Sequence, residues 1–141
     1  MAATITQFKR YVFVYGTLRS GDQRDINRLL PTPLFIGYGK TAGVLYDLGA
    51  YPGVRLGGHQ WVHGEVYQIS LELERQLDEI EEVWPQQTGE YIRQEVRVAF
   101  TGSLTASFPG SEQTCLVYEI AERRTAGMGV IASGDWLKRS S

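Results

Sequence analysis

Residues 91–100 alternate cleanly between apolar and polar side chains, and this pattern constrains the fold of the chain most strongly. Because successive side chains of a strand point to opposite faces, the alternation predicts a strand with one face in the core and one in solvent. Residues 113–120 predict a second strand, and residues 102–112, which contain two glycines and a proline, predict a loop between them. We therefore expect the two strands to pair in antiparallel fashion.

Three further strands are predicted nearer the N-terminus. Residues 11–15 form an apolar run typical of a buried strand, and residues 61–69 alternate in polarity. Residues 34–48 predict one or two strands that are broken at Gly43. Residues 49–58 are rich in glycine and contain a Pro-Gly turn signal, so they predict a loop.

Helices are predicted to be few and short. Residues 24–30 predict one short helix, because two prolines follow closely and cannot continue it. Residues 71–82 predict a second helix, with Ser70 as the N-cap. Glu72 and Glu74 favour the positive end of this helix.

These elements predict a small domain in which strands dominate. The fold class is α+β, with a curved, mixed and mainly antiparallel β-barrel-like sheet and two or three short helices. A single domain over residues 1–141 accounts for the length. The tail from residue 121 is expected to run over the surface and to dock Trp136 in an apolar slot.

Composition excludes several classes of function. The formal net charge of −2 does not favour binding to nucleic acid or to an anionic membrane. No apolar run approaches the roughly 20 residues that span a bilayer, and the N-terminus lacks the apolar segment of a signal peptide. Cys115 is the only cysteine, which excludes an internal disulfide, and we expect a cytoplasmic protein.

The chain has few residues that could bind a metal ion or act as a nucleophile. His59 and His63 are four residues apart, but the segment between them predicts loop and strand rather than a helix that would align them. No recognised nucleophile motif surrounds Cys115 or any serine. We therefore do not expect a metal site.

The apolar run over residues 12–14 stops abruptly at Tyr15-Gly16-Thr17-Leu18. A strand that ends in a glycine turn can present several backbone N–H groups at one place, and such nested amides bind anions. The alternative is an ordinary turn, since isolated glycines most often mark turns or close packing. Arg19 follows directly, and it either contacts a ligand or closes the turn; we favour the turn.

The helix over residues 71–82 places one acid closer to its apolar stripe than the others. Leu73, Leu77, Ile80 and Trp84 fall on the stripe, and Glu81 lies at its edge. Partial burial would raise the pKa of such a carboxylate and make it a better proton acceptor near neutral pH. The remaining acids at the end of the helix are expected to form a solvated face; they are Asp78, Glu79 and Glu82. The alternative for Glu81 is that it belongs to the same solvated face.

Three tyrosines, Tyr15, Tyr91 and Tyr118, lie in predicted strands or at their ends. Tyrosines that line a pocket can supply hydroxyl donors together with an apolar wall. The alternative is that they are core tyrosines, each with one satisfied hydroxyl group.

Several segments together resemble the gamma-glutamylcyclotransferase-like family, in particular its small bacterial members. The matching segments, in chain order, are residues 13–19 (FVYGTLR), 50–53 (AYPG), 62–67 (VHGEVY), 77–81 (LDEIE), 89–93 (GEYIR) and 133–137 (SGDWL). Each motif is short, but their order and spacing extend over residues 11–138. The resemblance implies a barrel-like α+β fold with a cavity at its mouth.

The resemblance also implies an enzyme that cyclises an amide, of the lyase or acyltransferase class. Its substrate would be a γ-glutamyl amine or γ-glutamyl amino acid, and its products 5-oxoproline and a free amine, without a cofactor. By similarity, Glu81 is the general acid/base and the loop of residues 15–18 binds the glutamyl group. Tyr91 corresponds to a residue of the pocket wall, and Tyr118 is a further substrate-binding candidate.

Two departures and two alternatives accompany this hypothesis. Many relatives have Gly after the catalytic acid, where this chain has Glu82, and residues 82–88 are a variant of a variable loop. The identity of the leaving amine and the oligomeric state therefore stay open. One alternative is a module that binds a small carboxylate or amine metabolite without turnover. The other is a different acyl transfer or amide cleavage in the same cavity.

Overall fold

Six β-strands and one α-helix are present in the computed structural model, which describes residues 10–81, 89–101 and 112–139. The strands are β1 (Arg10–Val14), β2 (Leu34–Asp47), β3 (Pro52–Ile69), β4 (Tyr91–Thr101), β5 (Glu112–Ile120) and β6 (Gly129–Val130). The helix α1 covers Leu71–Ile80. Short 3₁₀ turns lie at Ile26–Arg28, Glu122–Arg124 and Trp136–Lys138.

Five of the strands close into a barrel. The antiparallel pairs are β1 with β3, β3 with β2, β2 with β4, and β4 with β5. A parallel pairing of β5 with β1, at Val12 and Leu116, closes the ring, and β6 adds to the edge of β2. The prediction of a mixed, mainly antiparallel, barrel-like sheet is therefore confirmed.

The predicted pairing of residues 91–100 with residues 113–120 is also confirmed. β4 and β5 lie antiparallel, from Tyr91 opposite Ile120 to Ala99 opposite Glu112. The predicted loop between them falls largely on residues 102–111, which lie outside the described part of the chain.

The prediction of a loop over residues 49–58 is wrong for most of its length. β3 begins at Pro52, so only residues 48–51 connect it to β2. Gly53 is needed within the strand because a Cβ atom there would lie 2.5 Å from the Cβ of Ile120. Ala42 of β2 pairs with Trp61 of β3, but the next residue, Gly43, pairs with Leu56. Residues 57–60 of β3 therefore form a bulge without partners in β2. The glycines therefore mark close packing and a bulge rather than a loop.

The helix predictions are partly right. Ser70 is the N-cap of α1, and its hydroxyl oxygen accepts a hydrogen bond from the Leu73 backbone N–H at 3.1 Å. The helix ends at Ile80, with Glu81 as its C-cap, slightly before the predicted boundary. Residues 24–30 contain only a 3₁₀ turn, because Leu29 returns to an extended conformation. The regular helical structure of the described residues is thus one α-helix plus three 3₁₀ turns.

Two apolar clusters form the core on opposite faces of β1. One contains Phe13, together with Val66 of β3 and Trp136 of the tail. The other contains Val12 and joins it to Leu73 and Leu77 of α1. Because side chains alternate along β1, α1 packs on the face opposite the first cluster. In the described residues, no helix is both long and apolar enough to cross a membrane.

Candidate active site

A cavity of about 210 Å³ opens beside the C-terminal end of β1. Its wall combines the loop after β1, the C-terminal end of α1 and the first residue of β4. The structure brings together all of the site residues that the sequence predicts. They are Tyr15, Gly16, Thr17, Leu18, Glu81, Tyr91 and Tyr118.

The loop that follows β1 is held from within by its carbonyl groups. The Gly16 carbonyl accepts a hydrogen bond from the Arg19 N–H. The Thr17 carbonyl accepts one from the Arg24 N–H, and the Leu18 carbonyl accepts one from the Ile26 N–H. In the part of the chain that the structure describes, the N–H groups of residues 16–18 have no such partner. Residues 16–18 line the cavity, and consecutive backbone amides of this kind are a known type of anion-binding group.

Gly16 is required because the loop after β1 lies very close to Pro52 at this position. A Cβ atom at this position would lie 2.6 Å from Cγ of Pro52, the first residue of β3. The glycine therefore allows the loop to lie directly against β3.

Arg19 has a structural role. Its side chain is 6% exposed, its Nε donates to Glu65 Oε2 at 3.0 Å, and its Nη1 donates to Asp135 Oδ1 at 2.8 Å. These contacts fix the loop to β3 and to the C-terminal tail. The favoured interpretation, in which Arg19 closes the turn, agrees with this geometry.

The C-terminal tail clamps the same loop at a second point. Trp136 is 2% exposed within the first core cluster, as the sequence predicts, and its Nε1 donates to Asp22 Oδ2 at 2.8 Å. The Gly134 carbonyl accepts from the His63 N–H at 2.8 Å, which holds the tail on β3. The position of the loop thus depends on residues far away in the sequence.

Glu81 is the C-cap residue of α1 and lies partly buried in the cavity wall. Its backbone N–H donates to the Leu77 carbonyl at 2.9 Å, so the side chain follows one turn after Leu77 as the sequence predicts. Burial raises the pKa of Tyr15, Tyr91 and Tyr118, and the negative charge of Glu81 raises each further. Glu81 thus shares the wall of one cavity with all three tyrosines.

The three predicted tyrosines do not offer their hydroxyl protons to a ligand. Tyr15 donates to the Tyr118 carbonyl at 2.7 Å, and Tyr91 donates to the Pro52 carbonyl at 2.9 Å. Tyr118 donates to Asp78 Oδ1 at 2.6 Å. A phenol has one proton, so this geometry agrees with the second of the two interpretations, in which each tyrosine hydroxyl group is satisfied within the protein. The rings line the cavity while the hydroxyl groups are satisfied internally.

Asp78 is the residue that sequence reasoning placed wrongly. It was expected on a solvated helix face, but it is 5% exposed, and its Oδ2 accepts from Arg93 Nη1 at 2.7 Å. Arg93 projects from β4 and covers a second face of α1, which apolar periodicity does not reveal. The available signal was the spacing of Glu74 and Asp78, which are i and i+4 on one face beside the apolar stripe.

Glu74 extends this buried ion-pair network. Its carboxylate accepts two hydrogen bonds from Arg10, each at 2.7 Å, and one from Arg93 at 2.5 Å. Burial alone would raise the pKa of Glu74, but the two arginines outweigh it and hold the pKa below its ordinary value. The network connects β1, α1 and β4 behind the cavity.

Charged side chains of both signs line the cavity. Arg24 supplies a positive charge, and Glu81 and Glu90 supply negative charges. Within the described ranges, no group of three or more His, Cys, Asp or Glu side chains is placed to hold a metal ion.

Comparison with known proteins places the chain among related sequences and folds. A family model described as "Gamma-glutamyl cyclotransferase, AIG2-like" matches residues 12–138. The chain is 37% identical, over 130 residues, to a Vibrio cholerae protein that is provisionally named a gamma-glutamylcyclotransferase; the match covers 91% of this chain and 96% of that protein. It is 33% identical, over 128 residues, to the gamma-glutamylcyclotransferase family protein YtfP of Escherichia coli K12, with the same coverage.

A solved structure resembles this fold over most of its length. The crystal structure of a mouse AIG2-like protein superposes with a TM-score of 0.70 and 25% sequence identity. The match covers 87% of this chain and 86% of the mouse chain.

Proposed function

The chain belongs to the gamma-glutamyl cyclotransferase, AIG2-like family, and from this membership we propose that it cyclises a γ-glutamyl compound. The substrate is a γ-glutamyl amine or γ-glutamyl amino acid, and the products are 5-oxoproline and a free amine. The observation that carries the proposal is the position of Glu81 and the amides of residues 16–18 in the wall of one cavity.

The size of the cavity supports a small substrate. Its volume of about 210 Å³ lies below the roughly 300–1,000 Å³ of pockets for drug-sized ligands. A glutamyl group is a ligand of suitable size, and the leaving amine would extend toward the opening.

In the proposed complex, the loop after β1 holds the acyl end of the substrate. The N–H groups of residues 16–18 bind either the substrate carboxylate or the oxyanion that develops on the γ-carbonyl oxygen. Preorganised amides stabilise such charge because they need not reorient during the reaction. The hydrogen bonds of the Gly16 and Thr17 carbonyls support this, because each carbonyl shares a planar peptide unit with the next N–H and so fixes the direction of the Thr17 and Leu18 amides.

The proposed reaction is an intramolecular aminolysis. Glu81 removes a proton from the α-ammonium group, and the freed amine attacks the γ-carbonyl carbon to form the new C–N bond of a five-membered ring. The tetrahedral intermediate then holds an oxyanion and one surplus proton on the ring nitrogen. Protonated Glu81 gives the first proton to the leaving nitrogen, the oxyanion collapses and the bond to that nitrogen breaks. Glu81 then takes the surplus proton from the ring nitrogen and passes it to the released amine. Holding the reacting atoms in contact supplies a large effective molarity.

Replacement of Glu81 tests the proposal. Wild-type protein incubated with a panel of γ-glutamyl amines and amino acids should release 5-oxoproline, measured by liquid chromatography. Glu81→Gln should bind the substrate but lose about 10²- to 10⁴-fold in kcat, the usual contribution of a proton-transferring side chain. Glu79→Gln is the matched control, because Glu79 is exposed on the same helix and should retain activity.

The alternatives predict different results. A Glu81→Gln protein that cyclises at the wild-type rate would exclude Glu81 as the base. A wild-type protein that binds γ-glutamyl compounds but never releases 5-oxoproline would support a non-catalytic binding module of the same fold. Cleavage that releases glutamate instead of 5-oxoproline would support a different acyl transfer.

A further inference from the structure

Four tyrosine side chains line the cavity, and all four donate their hydroxyl protons to groups of the protein. Besides the three bonds described above, Tyr51 donates to Glu90 Oε2 at 2.5 Å. The four acceptors are two backbone carbonyls and two carboxylates, none of which can donate in return. The direction of each hydrogen bond is therefore fixed by chemistry.

These hydrogen bonds leave the cavity with two kinds of polar group. The tyrosine oxygens have only lone pairs to offer a ligand, and the Glu81 carboxylate is likewise an acceptor. The amides of residues 16–18 are donors, and the positively charged Arg24 lines the same cavity. A ligand that carries both a positively charged donor group and acceptor oxygens would match these groups.

Tyr118 differs from Tyr15 and Tyr91 in its acceptor. Tyr15 and Tyr91 donate to backbone carbonyls, whereas Tyr118 donates to the buried carboxylate of Asp78. Arg93 holds the other oxygen of this carboxylate at 2.7 Å. Asp78 also lies three residues before Glu81 on α1, so one helix end carries both acids.

Tyr118 and Glu81 lie in the wall of the same cavity. The Glu81 charge is also among the causes that raise the pKa of Tyr118, after burial and the hydrogen bond to Asp78. Because the cavity volume is only about 210 Å³, one small ligand that fills it can contact both residues.

We propose that Asp78 is a positioning residue that keeps the Tyr118 hydroxyl proton away from the cavity, so that the Tyr118 oxygen accepts a hydrogen bond from the α-ammonium group of the substrate. This inference rests on the proposed function and deepens it. The ammonium group donates one N–H to Glu81, which takes that proton, and a second N–H to Tyr118. Tyr118 thus orients the amine nitrogen while its own proton stays on the hydroxyl group.

Steady-state kinetics of three variants provide the first test. Tyr118→Phe removes the acceptor, and Asp78→Asn can reverse the hydrogen bond because its amide can donate to the Tyr118 oxygen. Each should lower kcat/KM by about 10- to 100-fold, the range for a hydrogen bond to a charged group. Glu74→Gln is the matched control, because it removes a neighbouring charge of the same network without contacting Tyr118. We expect it to lower the unfolding temperature and to leave kcat/KM within about threefold of wild type.

The double variant separates positioning from a merely structural role. If Asp78 acts through Tyr118, Asp78→Asn should have no further effect on kcat/KM in the Tyr118→Phe background. Additive losses, or an Asp78→Asn protein with wild-type kcat/KM, would overturn the inference.

A binding measurement keeps the test independent of turnover. In the Glu81→Gln background, L-glutamine is the simplest γ-glutamyl amide, and glutaramic acid is the same molecule without the α-amine. The background protein should prefer L-glutamine, and Asp78→Asn or Tyr118→Phe should abolish that preference while binding of glutaramic acid is unchanged. An unaltered preference would overturn the inference, whereas failure of wild-type protein to form 5-oxoproline would overturn only the proposed function.

Discussion

The buried Arg19 illustrates how a single residue can support the site without touching a ligand. It follows the loop of residues 15–18, and its guanidinium group is paired with one carboxylate from β3 and one from the tail. Glu65 also accepts from the Ser20 N–H at 2.9 Å and from the Tyr67 hydroxyl at 2.7 Å. The loop is therefore fixed by charged groups that are largely shielded from water.

Replacing this arginine should be costly. Arg19→Met leaves Glu65 buried without its cation, and we expect the free energy of unfolding to fall by about 3–5 kcal/mol, the range for breaking a buried pair. Arg97→Met is the matched control, since its pair with Glu112 is 63% and 51% exposed and is expected to contribute at most about 1 kcal/mol. Urea denaturation measures both values. An equal decrease in the free energy of unfolding of the two variants would contradict the conclusion that the buried ion pair stabilises the protein more than the exposed one.

Sequence reasoning located the catalytic candidate but not its neighbour. Glu81 could be predicted because its distance from the apolar stripe is a property of one helix, and the family resemblance points to the same residue. Asp78 could not, because its burial depends on Arg93 of β4, and the pairing of a helix with a distant strand leaves no local pattern. The hydrogen-bond acceptors of the tyrosine hydroxyl groups could not be predicted either, because they too lie on segments distant in the sequence.

At the scale of elements, α1 is important because its C-terminal end carries Glu81. Its N-terminus is capped by Ser70, and its first turn contains Glu72 and Glu74, so the helix is well defined at that end. Leu73 and Leu77 are fully buried against the barrel. The position of Glu81 therefore depends on how firmly the whole helix is held.

Loss of the N-cap should weaken the helix measurably. Ser70→Ala removes the acceptor of the Leu73 N–H, and we expect the free energy of unfolding to fall by about 1 kcal/mol. Ser20→Ala is the control, because Ser20 is an exposed residue that uses its backbone N–H rather than its side chain. Thermal unfolding followed by circular dichroism measures the difference. A Ser70→Ala protein as stable as the control would show that the cap contributes nothing.

The elements that the sequence misplaced are those in which glycine and proline have several uses. Gly53 and Gly57 indicated a loop, but one permits close packing and the other lies in a bulge of β3 with φ of +97°. The segment 24–30 shows helical spacing, yet Leu29 turns to an extended conformation and leaves a single 3₁₀ turn. Alternation identified β4 correctly as a strand, but the expected burial of one face is found only at Val98, and Ile92 is 44% exposed.

At the scale of the whole molecule, the ion-pair network of Glu74 holds together parts that are distant in sequence. Arg10 belongs to β1, Glu74 to α1 and Arg93 to β4. Local patterns could not predict this network or the parallel pairing that closes the barrel, since both join segments far apart in the chain. The fold class could be predicted because the residue pattern that indicates a strand is visible within each short segment of the sequence.

This network predicts how stability responds to acid. The pKa of Glu74 is lowered in the folded protein, so its stabilisation is present above the ordinary value of 4.5 and is lost as the pH falls through the folded-state pKa. Between about pH 6 and about pH 3, the wild-type free energy of unfolding should fall more than that of Glu74→Gln. Glu72→Gln, an exposed change in the same turn, should follow the wild type. Parallel curves for wild type and Glu74→Gln, from urea titrations at each pH, would refute this.

The clamp formed by the C-terminal tail has a consequence for protein synthesis. Arg19 and Asp135 are 116 residues apart, and every strand of the barrel leaves the ribosome before the tail does. At roughly 5–20 residues per second, the loop of residues 15–18 waits on the order of ten seconds for Asp135 and Trp136. The loop of residues 15–18 is therefore made long before the residues that clamp it, and it becomes fixed only after Asp135 and Trp136 have been synthesised.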